Sequence, residues 1–174
     1  MKKFRKKYYS HWKDFRDDYQ FLISRRSQIR AAMAPERVST AFRERLMLVV
    51  TEVNGCRYCR SFHAPQAFKA GVPQEELLEL LAGLVPESTP EREKLALVYA
   101  KHWAEYNAVP DPDYDRKMIE VYGEETFHSI QIILRMIRMG NLLGNTGDFL
   151  LHKLSFGLLG GERKKAQPVH LEEG

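Results

Sequence analysis

The chain has 174 residues, 44% hydrophobic and 29% charged, with a formal net charge of +4. That is enough for one domain with a core of its own, and the charge is too small for this length to demand a nucleic-acid partner. No apolar run approaches the ~20 residues of a membrane span, and the basic N-terminus is not followed by the apolar core and cleavage site of a signal peptide, so a cytoplasmic protein without a membrane anchor is expected.

In chain order, residues 1 to 9 place five cations among Phe4, Tyr8 and Tyr9. They read as a basic lead-in to a helix that packs on the subunit or on a neighbour, ahead of an arm for nucleic acid or a membrane surface. Residues 10–34 continue helically, with Trp12, Phe15, Tyr19, Leu22 and Ile23 on roughly one stripe, and Pro35 interrupts. Ser39 is placed to cap the next helix, whose Phe42, Leu46, Met47, Val49, Val50 and Val53 form a broad apolar face. Asn54-Gly55 is a break. A further helix runs from there to Ala70, with Gly71 as its stop.

Pro73 opens a short helix through Leu81. Ser88-Thr89-Pro90-Glu91 carries a capping-box pattern for the next one, and Asp111-Pro112 repeats the device for a helix ending near Tyr122. Residues 124–139 are apolar nearly all round, so this helix should be buried on most faces, one of them against another subunit. Gly140 to Gly147 is a Gly/Asn cluster with no strand before it and no Lys-Ser or Lys-Thr pair after it, which argues against a phosphate loop. A last helix spans about 148–154. No alternating pattern bounded by turns appears, so the fold is all-α. Three regions result: a basic and aromatic helical extension (1–34), a helical domain (35–155) and a polar tail (156–174) expected to be mobile.

Both cysteines lie in one stretch, at Cys56-x-x-Cys59, with His63 four residues on and Glu52 four residues before. Without an export signal, this spacing reads as redox or metal chemistry rather than as a structural staple. On a helix, Cys56 and Cys59 lie about 60° apart with His63 between them in azimuth, one turn beyond Cys59. After the Asn54-Gly55 break, Cys56 falls in the first helical turn, where free N–H groups and the dipole favour a thiolate. A free thiol has a pKa near ~8.5; the helix end and an imidazolium at His63 both lower it. Glu52 serves to orient His63 or accept its proton, but only if the chain bends at Asn54-Gly55, because a straight helix separates them by about 16 Å. Two rival readings stand beside this one. The cysteines are simply buried, or Cys56, Cys59 and His63, with Glu52 or a distant histidine, hold a structural zinc ion.

The combination Glu52-x-x-x-Cys56-x-x-Cys59-x-x-x-His63, preceded by the apolar run Arg45 to Val50 and followed by Ala67 to Gly71, resembles the carboxymuconolactone decarboxylase family, and more narrowly its alkylhydroperoxidase AhpD-like branch. The close match covers about residues 36–85 and a looser one runs to about residue 150. The resemblance implies an AhpD-like helical bundle over 35–155, assembled as a homo-oligomer, often a trimer or hexamer. It implies thiol-dependent reduction of a hydroperoxide by Cys56 and Cys59, with no cofactor beyond their reversible disulfide and with an external dithiol or protein reductant. His63 takes the family's histidine position and Glu52 is the candidate for its carboxylate. Where the best-known members carry a second histidine before the second cysteine, this chain has Tyr58, a poor base near neutral pH. Asn141 and Asn145 are expected to line the cleft. The decarboxylases that give the family its name lack the cysteine pair, so decarboxylation is not expected. The alternatives are a zinc-stabilised helical binding module and a catalytically silent scaffold of the same fold.

Overall fold

Caps and glycines divide the chain into helices much as the sequence reading requires. The computed structural model describes residues 3–161, and these contain no strand. Seven helices follow one another: α1 (Trp12–Ser24), α2 (Arg26–Ala32), α3 (Thr40–Asn54), α4 (Arg57–Lys69), α5 (Gln74–Leu81), α6 (Glu91–Glu105) and α7 (Pro112–Leu154). The Ser39 hydroxyl accepts the Phe42 N–H at 3.2 Å and starts α3. Gly55, at φ 76°, ends it in the left-handed region that a side chain disfavours. Asp111 accepts the Asp113 N–H at 2.9 Å at the head of α7, with Pro112 next.

Helix α3 is the central element, packed by α4, α5, α6 and α7. Its Leu46, Leu48 and Val50 are fully buried, as are Leu97 on α6 and Ile133 and Leu134 on α7. Each such side chain contributes on the order of 1.5–3 kcal/mol through burial. Charge also crosses this core. Arg45 of α3 donates from Nε and Nη2 to the two carboxylate oxygens of Glu76 on α5 (2.7 and 2.9 Å) and from Nη1 to Glu93 on α6 (3.1 Å).

The structure departs from expectation at three places. The Ser88/Thr89 capping box is not used: α6 begins after Pro90 without a side-chain cap, and the Thr89 hydroxyl donates to buried Glu76 at 2.8 Å. Satisfying a buried carboxylate outweighs a cap that water can replace. Gly140 to Gly147 is not a break. After a single non-helical residue at Gly123, α7 stays helical to Leu154, because side chains on the two faces of this segment pack while its glycines adopt ordinary helical angles. Most apolar side chains of residues 124–139 are already buried within the chain, where α1 and α2 pack on α7 as well as α3 and α6. Finally, the α1 stripe is largely outside: Trp12 is 73% exposed, whereas the buried residue of α1 is Asp18. Asp18 accepts from the Tyr9 hydroxyl (2.6 Å), from Arg135 Nη1 (2.6 Å) and from Arg138. The expected mobile tail lies, from residue 162, outside the described residues.

Candidate active site

The α3–α4 hairpin builds the site. Gly55 turns the chain, and Cys56 becomes the N-cap of α4 rather than a residue of its first turn (φ −82°, ψ 105°). Its sulfur does what a capping serine oxygen does, accepting the Cys59 N–H at 3.3 Å. The two sulfurs, both free thiols, are 2.6 Å apart. Cys56 is 1% exposed, while Cys59 is partly open.

The pair does not ionise evenly. The hydrogen bond that the Cys56 thiol donates to Cys59, together with burial, pushes Cys56 well above the ordinary thiol range. The same hydrogen bond, joined by one from the Asn141 side chain and opposed by partial burial, lowers Cys59 to about 7. The backbone N–H groups at the helix start favour charge on Cys56, but one proton is shared between the sulfurs. The sulfur nearer solvent and Asn141 carries the charge, since burying an ion without full solvation is costly.

His63 sits one helical turn beyond Cys59. Its Nδ1 is 2.7 Å from Glu44 Oε2, and both side chains are largely buried. A carboxylate only accepts, so Nδ1 carries the proton and Nε2 is the basic atom. The carboxylate that the structure places on His63 is thus Glu44, ten residues before the α3 terminus, and not the Glu52 that sequence spacing suggested. The chain does bend at Asn54-Gly55, yet buried Glu52 pairs with Arg60 Nε at 3.1 Å. The bend brings a different turn of α3 against His63. A signal for Glu44 existed: it stands with Arg45 at the edge of the apolar run 46–50, where a charge must find a partner. Which partner it finds depends on the hairpin.

Helix α7 supplies the floor. Asn141, Asn145, Asp148 and His152 form a polar stripe on one helix face, every member buried. Asn141 donates to the Thr51 hydroxyl (3.1 Å) and accepts from Asn54 Nδ2 (3.1 Å), in addition to facing Cys59. Asn145 instead donates from Nδ2 to the carbonyls of Lys7 (2.8 Å) and Asn54 (2.9 Å). It holds the N-terminal segment on the end of α3. Gly144 lies beneath the cysteines. A Cβ there would sit 3.3 Å from Cys56 Sγ and 3.4 Å from Tyr58 Cδ2, so the missing side chain makes room for the thiol. The Tyr58 ring is half exposed, with its hydroxyl donating to Asp148 Oδ1 at 2.9 Å.

A metal site would need its ligands to converge, and among the described residues no group of three or more His, Cys, Asp or Glu side chains does so. The residues that sequence reasoning missed are Glu44, Gly144 and Asp148. Gly144 stood in the Gly/Asn cluster and Asp148 directly after it, and a helical reading through both would have put Asn141, Asn145 and Asp148 on one face.

The model of the carboxymuconolactone decarboxylase family matches residues 24–102, which contain α3, α4 and the whole cysteine motif. The uncharacterized protein YdfG of Bacillus subtilis (strain 168) is 28% identical over 106 residues, covering 60% of this chain and 71% of its own. No solved structure gives a significant match.

Proposed function

We propose that the chain, whose residues 24–102 match the model of the carboxymuconolactone decarboxylase family, is a dithiol hydroperoxide reductase in which Cys59 attacks, Cys56 resolves and His63 manages the proton. The observation that carries this reading is the adjoining pair of free thiols on one helix start, the more exposed member of which is the more acidic. Sequence likeness alone reaches only the family, which holds enzymes of more than one kind.

The Cys59 thiolate attacks the terminal oxygen of a hydroperoxide, the O–O bond breaks, and the alkoxide leaves with a proton to give an alcohol; sulfur is oxidised to a sulfenic acid. The Cys56 thiolate then attacks the Cys59 sulfur, forming the S–S bond and expelling hydroxide, which becomes water. An external dithiol returns both electrons by thiol–disulfide exchange and leaves as its own disulfide. His63, with Nδ1 held by Glu44, offers Nε2 to take the Cys59 proton and deliver it to the leaving oxygen. Glu44 acts through the imidazole as a positioning residue. No cofactor beyond the sulfur pair is required. The exposed apolar side chains of the chain, among them Trp12, Leu154 and Phe156, supply surface for the homo-oligomer that the resemblance implies.

The deciding experiment is consumption of cumene hydroperoxide with dithiothreitol as reductant. The expected result is turnover by the native protein, loss to background in Cys59→Ser, and a sulfenic acid on Cys59 trapped by dimedone in Cys56→Ser. Absence of turnover, or an adduct on Cys56 in Cys59→Ser but none on Cys59, would overturn the assignment.

A further inference from the structure

Residues 3 to 9 lie as an extended strap across the ends of α3 and α7. The Lys7 N–H donates to the Asn54 carbonyl (3.1 Å), the Tyr9 N–H to the Thr146 hydroxyl (3.2 Å), and the Lys7 ammonium to the carbonyls of Ala104 (2.7 Å) and Glu105 (2.8 Å) that end α6. Just before these anchors Lys6 turns inward. Its stem runs beside Gly55, where an added Cβ would meet the Lys6 Cγ at 3.5 Å, and its ammonium ends on Asp148 Oδ2 at 2.5 Å. The two side chains are 1% and 0% exposed. The other oxygen of Asp148 accepts from Arg57 Nη2 (2.7 Å) and the Tyr58 hydroxyl (2.9 Å), the two residues between the cysteines.

A buried ion pair is weak support for a fold, because desolvation offsets most of its attraction. Its placement here is informative. Asp148 stands one helical turn from Gly144, whose Cα lies against Cys56, about 6 Å along the axis. Lys6 is held against Gly55, next to the same cysteine.

We propose that Lys6 and Asp148, with Arg57 and Tyr58, form a positioning network through which the N-terminal strap fixes the first turn of α4 and sets the charge around the Cys56–Cys59 pair. The inference rests on the redox reading of these cysteines. The other charged and titratable groups around the network are Glu44 and Glu52 of α3, Arg60 and His63 of α4, and His152 of α7, which is buried one turn beyond Asp148 against Phe4 of the strap. Glu44 pairs with His63 and Glu52 with Arg60, whereas the strap and α7 contribute a cation and an anion to one another and to Arg57 and Tyr58. Removing Lys6 leaves buried Asp148 with only the half-exposed Arg57 as its cation, and removing Asp148 leaves buried Lys6 without its carboxylate, with opposite signs of field at the sulfurs. The loss of the cation disfavours a thiolate and the loss of the anion favours it.

The test compares Lys6→Met, which keeps the stem against Gly55, Asp148→Asn, and Lys6→Arg as rescue. It reads the pH dependence of iodoacetamide alkylation and the midpoint potential of the cysteine pair against glutathione. Neither readout requires peroxide turnover, so a failed peroxidase assay and a failed network are told apart. The expected result is a rise of about one pH unit in the alkylation midpoint for Lys6→Met, a fall of similar size for Asp148→Asn, and a near-native midpoint for Lys6→Arg. Shifts of the same sign in both variants would show a merely structural role and overturn the proposal. If Asp148→Asn does not fold, the two Lys6 variants decide alone: equal midpoints overturn it.

Discussion

At the residue scale, chemistry depends on which sulfur holds the shared proton. The Cys56 thiol donates to Cys59, whose pKa is lowered to about 7. Because the thiolate is the reactive form, alkylation of the native protein should rise through a midpoint near 7 and label Cys59 first; mass spectrometry of the labelled peptide checks the site. Glu44 fixes the tautomer of His63, so Glu44→Gln should lower peroxide turnover about tenfold to a hundredfold while leaving alkylation of Cys59 accessible to the reagent. Gly144 tests the room around Cys56. In a helix, Gly→Ala is worth up to ~1 kcal/mol, but the new methyl meets Cys56 Sγ at 3.3 Å. Gly144→Ala should therefore unfold within about 1 kcal/mol of the native protein, yet form its Cys56–Cys59 disulfide more slowly, as followed by oxidation with diamide.

At the scale of elements, α3 works because its charges are paired as well as its apolar face covered. Burial raises the Glu76 pKa, but hydrogen bonds from Arg45 and Thr89 outweigh it, so the carboxyl lies below its ordinary range. Arg45→Met would leave Glu76 buried without its cation and should cost about 3–5 kcal/mol in urea unfolding. The pH dependence follows in sign. Glu76 and Asp148 both titrate lower in the folded chain; for Asp148 the Lys6 and Tyr58 hydrogen bonds overcome the effect of burial. A carboxyl with a depressed folded pKa contributes stability above its unfolded value of ~4, and that contribution is lost as pH falls through the folded value. Thermal melts should hold steady from neutral pH to about 5 and drop below about 4, with Arg45→Met flattening part of the drop.

For the whole molecule, the N-terminal strap is the piece that closes the assembly of helices. It covers Asn145 and Asp148, polar atoms that would otherwise face an open seam between α3 and α7. Deleting residues 1 to 9 should lower stability by about 2–5 kcal/mol, since it strips the buried one of its two cations from Asp148, and should broaden the Cys59 alkylation profile. α1 and α2 likewise pack on α7, where Ile132 is buried although it stands outside the main apolar cluster. No helix among the described residues is long and apolar enough to cross a membrane.

Local patterns in the sequence were sufficient for much of this. Ser39, Gly55, Gly71 and Asp111-Pro112 act at the backbone within a turn of themselves, so their effects are readable without the fold. The closeness of Cys56 and Cys59 is equally local, because three residues at a helix start leave them little choice. Tertiary structure decided the rest, for a physical reason that recurs: a buried charge takes whichever partner packing brings near, and sequence distance does not report it. Glu44 rather than Glu52 meets His63 because the hairpin lays the first half of α3 along α4. Thr89 abandons a helix cap for Glu76, and Lys6, in a stretch that reads only as a basic lead-in to a helix, is drawn inside by a carboxylate 142 residues away.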